Sequence, residues 1–247
     1  MKNTGAAFMR ETYYDRVSES DQQQQVPQPP LEVPQEGERI ALPAPEELAI
    51  PALDLRQAIA QRQSVRSYSG EPLTMDELSY LLWATQGVKK LVERPHVKVT
   101  FRTVPSAGAR HAFDTYVLAN RVDGLEPGLY RYMAVEHALV RLPRPETVAE
   151  DLTQACYGQK FVGTSAVTFF WAADVYRMAW RYVERGYRYL HLDAGHVCQN
   201  FYLASEQIGG GACGIAAFND EELNAQLELD GEKRFVVYLA PMGKKEA

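Results

Sequence analysis

Cysteine is scarce in this chain of 247 residues: Cys156, Cys198 and Cys213 are an odd number at wide spacing. That excludes a disulfide framework and a paired zinc knuckle, and it points to a reducing compartment. Long apolar runs are missing as well. No stretch approaches the roughly 20 residues a membrane helix needs, and the opening MKNTGAAFMRETYYDR lacks the apolar centre of a secretory signal. The expectation is a cytoplasmic protein without a membrane partner. Positive charge is not in excess either, since 26 Lys+Arg face 32 Asp+Glu for a formal net charge of -6. No segment combines dense Lys/Arg with interleaved aromatics, so nucleic acid is not an expected partner. Internal repeats, a phosphate loop and a GxGxxG turn between strand and helix are all absent, which argues against a nucleoside triphosphatase and a Rossmann fold.

What is present suits a small-molecule protein with a buried core, the hydrophobic content being 46%. Residues 17–51 carry a Gln run and half of the 14 prolines. Such a composition prefers extended backbone, either as a disordered tail or as an arm laid over a partner subunit. We therefore divide the chain into an N-terminal Pro/Gln-rich arm, residues 1–50, and a folded domain, residues 51–247.

In the domain, LDLRQAIAQR and LTMDELSYLLWATQG have helical spacing. The second opens with Thr74 and Glu77 in a capping box and closes on Gly87. FDTYVLANRV, GLYRYM and HALVRL read as strands of a meander, with turns at Asp123-Gly124 and at a Pro-Gly pair. Helix returns in ETVAEDLTQACYG, SAVTFFWAAD reads as a buried central strand, and RFVVYLAPMG as a final one. Between those two strands a long helical stretch runs from about Val175 to Gln207, with breaks expected near Gly186 and Gly195. The order gives an α+β fold.

Four stretches could carry chemistry. In RQSVR, Arg62, Ser64 and Arg66 place two guanidiniums and a hydroxyl where one anion could be held, and the alternative is a solvated helix end. IGGGACGIAAF keeps nearly every side chain small up to Phe218, which admits a ligand against the backbone or a tight packing contact. PSAGAR, directly before a strand, is either a tight turn or a bed for a flat ligand. Ser106 there lacks the flanking glycines of a nucleophile elbow and is better suited to positioning. In HLDAGH, His191 and His196 stand five apart and so on different helix faces, which favours packing and capping over metal binding.

RQSVRSYSGEPLTMDELSYLLWATQGV, PSAGARHAFDTY, GLEPGLYRY and RGYRYLHLDAGHVCQN, in this order, resemble the flavin-dependent nitroreductase superfamily, and more closely its SagB-type dehydrogenase branch. The resemblance runs from about Ile40 to Met242. It implies a central mixed or antiparallel sheet flanked by helices, an intertwined homodimer, and FMN at the dimer interface, with NAD(P)H a candidate electron donor and a small molecule or a peptide as substrate. Arg62, Gln63 and Ser64 match the element that holds phosphate and ribityl chain. Arg66 matches the basic group near the ring, where it would stabilise negative charge.

Pro105, Ser106, Ala107 and Gly108 match a segment that the partner subunit brings to the ring. Gly214, Ile215, Ala216 and Ala217 match the loop along its other face, and Lys244 matches a basic residue that reaches the phosphate. The branch's Lys-Tyr pair, which takes a substrate proton, corresponds here to Arg181-Tyr182. Arginine is a poor general base, so azoline oxidation is in doubt while Tyr182 stays a candidate. Reduction of nitroaromatics or quinones, and a flavin-holding subunit without turnover, are the alternatives.

Overall fold

The computed structural model describes residues 3–94 and 97–246. Helix α1 (Thr4–Glu11) and strand β1 (Arg39–Ala41) lie in the arm, and α2 (Leu55–Gln61) and α3 (Met75–Gln86) open the domain. A hairpin of β2 (Val88–Arg94) and β3 (Val97–Arg102) follows, and then β4 (Phe113–Ala119), β5 (Gly128–Met133) and β6 (Ala138–Leu142). The second half contains α4 (Val148–Ala155), α5 (Phe161–Thr164), β7 (Val167–Asp174), α6 (Val175–Tyr182), α7 (Gly186–Gln207), β8 (Gly210–Ala212), α8 (Asp220–Gln226) and β9 (Arg234–Lys244).

Local chemistry explains the helix starts. Asp54 accepts a hydrogen bond from Gln57 N at 3.1 Å, and the Thr74–Glu77 capping box forms in both directions at 3.2 and 3.0 Å. The long helical stretch breaks once, and at Val183, not at a glycine. Val183 has φ 50° and ψ -139°, a conformation that costs a β-branched residue strain. Gly186, directly after this break, is the first residue of α7, and a Cβ there would lie 3.0 Å from Met178 Cγ of α6. Gly195 causes no break: it has open space around it, and α7 runs through it.

Seven strands form one sheet in the order β1-β6-β5-β4-β7-β9-β8, every neighbouring pair antiparallel. The expected meander is β4-β5-β6. Strands β4 and β7 lie at the centre, and β7 alternates between two cores. Phe169 and Trp171 pack with Leu78, Leu82, Val197 and Phe201 of α3 and α7, whereas Phe170 and Ala172 pack with Leu152, Val162 and Leu223 of α4, α5 and α8. Phe201 anchors α7, its ring centroid 4.6 Å from Phe169 and 5.7 Å from Trp171. Burying each such side chain contributes about 2–3 kcal/mol. The α+β fold with helices on both sheet faces is the one expected.

Residues 12–41 lie along the chain's own body. Val26 O accepts from Trp180 Nε1 at 3.0 Å, Leu31 O from Arg177 Nη1 at 3.0 Å, and Glu32 Oε2 from Ala134 N at 3.0 Å. Arg177 also enters a buried ionic cluster. Asp114 pairs with Arg177 at 2.5 Å, with Arg131 at 2.9 Å and with Arg234 at 3.1 Å. Burial opposes the charged carboxylate, but these three guanidiniums outweigh it and hold the Asp114 pKa below the ordinary value.

Candidate functional site

The RQSVR element leaves the end of α2 as an extended segment. Val65 N donates to Ala212 O at 2.9 Å, so Ser64 forms a parallel bridge with the glycine-rich edge strand β8. This close approach requires Gly211, because a Cβ there would overlap Val65 Cβ at 2.7 Å. One side chain of α7 joins this segment to the next loop: Tyr202. Its hydroxyl accepts from Gly214 N at 2.6 Å and lies 3.1 Å from Ser64 Oγ, and Arg62 Cζ stands 5.2 Å from its ring centroid. Arg62, Ser64 and Gly214 are thereby brought together. Arg66 extends over the Phe161 ring at 6.0 Å and is exposed, as is Gln63. Neither Arg62 nor Arg66 has a carboxylate partner among the described residues.

Ile215 is fixed to β9 through exchange with Leu239, N to O at 2.8 and 3.2 Å, and is 4% exposed. Ala216 and Ala217 then emerge at the surface, with Ala217 O accepting from Gln159 Nε2 at 2.8 Å. Their amide groups make no backbone hydrogen bond among the described residues, so this loop presents free N–H donors. Gly214 itself is required because a Cβ would lie 2.5 Å from Tyr238 Oη and 3.2 Å from Cys198 Sγ. Burial raises the Cys198 and Cys156 thiols to about 12, which keeps them protonated.

Lys244 points elsewhere. Its Nζ is paired with Glu77 of the α3 capping box and donates to Ile208 O at 2.7 Å. Strand alternation sends Lys245 to the other side, where its Cε would meet a Cβ on Gly211 at 3.3 Å and its Nζ lies 2.5 Å from Glu206 Oε2. Glu206 stands one helical turn from Tyr202 on the same face of α7. Lys245 is thus the lysine beside RQSVR. Neither Lys245 nor Tyr202 is singled out by the sequence, where Tyr202 is one aromatic among several along α7.

Pro105, Ser106, Ala107 and Gly108 form a separate constellation. Ser106 Oγ accepts from His111 N at 2.9 Å, and Ala107 N donates to Asp193 Oδ1 of α7 at 3.2 Å. Burial raises the Asp193 carboxyl despite the neighbouring Ser106 and Ala107 donors. The turn is strained: Gly108, Ala109 and His111 have φ of 57°, 52° and 44°. Burial, with Arg102 and Arg110 nearby, lowers His111 to about 3, so its imidazole is neutral. A Cβ on Gly108 would lie 2.6 Å from Tyr182 Oη and 3.0 Å from Arg181 Cδ. The turn therefore rests against the two side chains proposed for catalysis, both at the end of α6. His191 bonds Tyr187 O through Nδ1 at 2.8 Å, and among the described residues no group of three His, Cys, Asp or Glu side chains converges.

The two constellations sit on opposite faces of α7. Asp193 and Tyr202 are nine residues apart, which is about 13 Å of helix rise and about half a turn of rotation. No helix among the described residues is long and apolar enough to cross a membrane.

Comparison with known proteins bears on the family and the fold. The nitroreductase family profile matches residues 59–244. The nitroreductase-like protein MJ1384 of Methanocaldococcus jannaschii is 37% identical over 196 residues, covering 79% of this chain and 93% of that protein. The trifolitoxin-processing protein TfxB of Rhizobium leguminosarum bv. trifolii is 28% identical over 144 residues, covering 53% of this chain and 36% of its own length. Among solved structures, a nitroreductase-like protein of Ralstonia eutropha superposes with a TM-score of 0.67 at 25% identity, covering 90% of this chain and 95% of that one. With a fold, a motif order and a relative that agree over most of its length, the chain belongs to the nitroreductase family.

Proposed function

We propose that the protein is an FMN-dependent oxidoreductase of the SagB-type kind, working as a homodimer by a ping-pong cycle. The observation that carries this reading is the convergence on Tyr202: the unpaired Arg62, the Ser64 hydroxyl and the Gly214 end of a loop with free amide groups meet at one side chain. These residues fit the cofactor. Arg62 and Ser64, with Lys245 beside them, supply donors for a phosphate and a ribityl chain, and the planar guanidinium suits phosphate in particular. FMN supplies, when bound, a ring whose N5 accepts a hydride from a donor and returns it to an acceptor.

Arg66, two residues beyond Ser64, would hold a positive charge beside the bound ring and so favour its reduced, anionic form. The Ala216 and Ala217 amides, unbonded within the chain, would be available as donors to the ring. The PSAG turn of the partner subunit supplies the other wall, because in each chain that turn sits on the far face of α7. Arg181 remains protonated and acts as a cation, so a proton at the reacting atom is left to the Tyr182 hydroxyl. The relative named for trifolitoxin processing favours a peptide as one substrate class, and MJ1384 favours a nitroaromatic or quinone.

The test is spectroscopic. The purified chain is expected to elute as a dimer with a flavin absorption spectrum that bleaches under NAD(P)H and recovers with a nitroaromatic or quinone acceptor. Bound flavin that no donor reduces would support a flavin-holding subunit instead. A colourless protein that cannot be reconstituted with FMN refutes the flavin reading altogether.

A further inference from the structure

Tyr182 is the last residue of α6, and the strained Val183 behind it turns the chain toward α7. No continuing helix therefore holds its ring from the C-terminal side. A cavity of about 230 Å³ opens beside it, walled by Tyr182, Val183 and Arg185 and, across from them, by Tyr14 and Val17 of the arm. The ring thus has space to swing away from the Gly108 turn on which its hydroxyl rests.

What opposes that swing is Tyr189, in the first turn of α7. The two rings meet edge to face, their centroids 4.8 Å apart at an interplanar angle of 77°. Tyr189 is itself fixed. Its hydroxyl accepts from Arg185 Nε at 2.7 Å, and the Arg185 guanidinium stands between two rings, 5.5 Å from the centroid of Tyr189 and 5.4 Å from that of Tyr14. The other side of the Arg185 fork reaches into the arm, where Nη1 donates to Thr12 O at 2.8 Å. Arg188 strengthens this anchor: its Nε donates to Thr12 Oγ1 at 2.7 Å and its Nη2 to Met9 O. Thr12 is 2% exposed and closes α1, so the two arginines serve the carbonyl end of that helix. Helix α1 buries none of its own residues, and its attachment depends on these bonds more than on apolar packing.

We infer that Arg185 and Tyr189 are positioning residues for the Tyr182 hydroxyl, and that the N-terminal arm contributes to turnover by anchoring them through Thr12. The planar guanidinium donates to Tyr189 and to the arm at once, a double role that a single-point cation such as lysine does not fill. The effect on turnover rests on the flavin reading above and on Tyr182 as the proton carrier; the bracing of the ring does not.

The experiment places 3-fluorotyrosine at position 182 of the full chain and follows its fluorine resonance, with kcat and KM for NAD(P)H-driven quinone reduction measured beside it. Tyr189→Phe keeps the ring and its packing, so misfolding is no explanation for what it does. It and Arg185→Gln are expected to shift and broaden the resonance and to lower kcat about tenfold with KM little changed. Arg188→Gln, which loosens α1 without touching Arg185 or Tyr189, is expected to broaden the resonance to a smaller degree. Tyr182→Phe should lower kcat at least as far as Tyr189→Phe, and the double variant no further than Tyr182→Phe alone. A resonance unchanged in both Tyr189→Phe and Arg185→Gln overturns the proposal, and so do additive losses in the double variant. A resonance unchanged in Arg188→Gln refutes the part given to the arm. If the resonance responds but Tyr182→Phe is as active as the parent, the bracing stands and Tyr182 is rejected as the proton carrier.

Discussion

Removing one oxygen atom tests whether the Tyr202 junction assembles the cofactor site or merely packs it. In Tyr202→Phe the ring stays, so the Arg62 contact at 5.2 Å persists, but Gly214 N loses its acceptor at 2.6 Å and Ser64 its neighbour at 3.1 Å. The tyrosine proton is free to point at Ser64 because the Gly214 amide uses the oxygen as acceptor. An amide left unpaired in a buried place costs about 1–3 kcal/mol, and Gly214 is only half-buried, so about 1 kcal/mol is expected. For a chain of this size that is a fall of about 2–4 °C in Tm. If the same bond aligns the Gly214–Ala217 loop with RQSVR for FMN, the cofactor Kd rises by about 5- to 10-fold as well. Flavin fluorescence titration of the reconstituted protein measures the second quantity and thermal unfolding the first. A lowered Tm with an unchanged FMN Kd would refute the assembly role and leave Tyr202 as packing.

The remaining expectations concern separate contacts. Gly108→Ala places a Cβ 2.6 Å from Tyr182 Oη in a left-handed backbone, so stability falls by about 1–2 kcal/mol and turnover falls further than stability explains; kcat beside Tm shows whether the two separate. Lys245→Ala is expected to weaken FMN retention, whereas Lys244→Ala lowers Tm because it abandons Glu77 and Ile208 O, and retention on desalting ranks the pair. Asp114→Asn leaves Arg131 and Arg234 without a carboxylate and Arg177 with Asp174 alone, and should cost about 3–5 kcal/mol, read by urea denaturation. The folded pKa of Asp114 is depressed, so its contribution is present above the unfolded pKa of about 3.9 and disappears as pH falls through the folded value. The parent should lose stability below about pH 4 more steeply than the variant.

Much of this was legible where one physical cue dominated. The Thr74–Glu77 box, the alternation-free runs of β4 and β7, and the turns around β5 need no tertiary information. The β2–β3 hairpin was not legible, because VKKLVER is mostly exposed and carries no inside-outside period. The break at Val183 was hidden for the opposite reason: glycine is the usual sign of such a backbone, and the strain falls on a valine held by the packing of α6 against α7. In the site, Arg62, Ser64 and Gly214 could be nominated from side-chain type, but their meeting depends on Tyr202, an aromatic indistinguishable in sequence from its many neighbours in α7. Lys244 and Lys245 differ only by strand parity, which the sequence does not display. Arg110, unexplained from the sequence, is seen only in the structure to stack on Trp180.

The sheet ends on both sides in strands of three residues, β1 and β8. Short edges give an approaching chain little to pair with, and at β8 the exposed side is already taken by the bridge from Ser64 to Ala212. The RQSVR segment is therefore also the cover of a sheet edge. Whatever loosens RQSVR uncovers backbone groups of a glycine-rich strand, so that under the proposed flavin function loss of the cofactor and exposure of that edge become a single event.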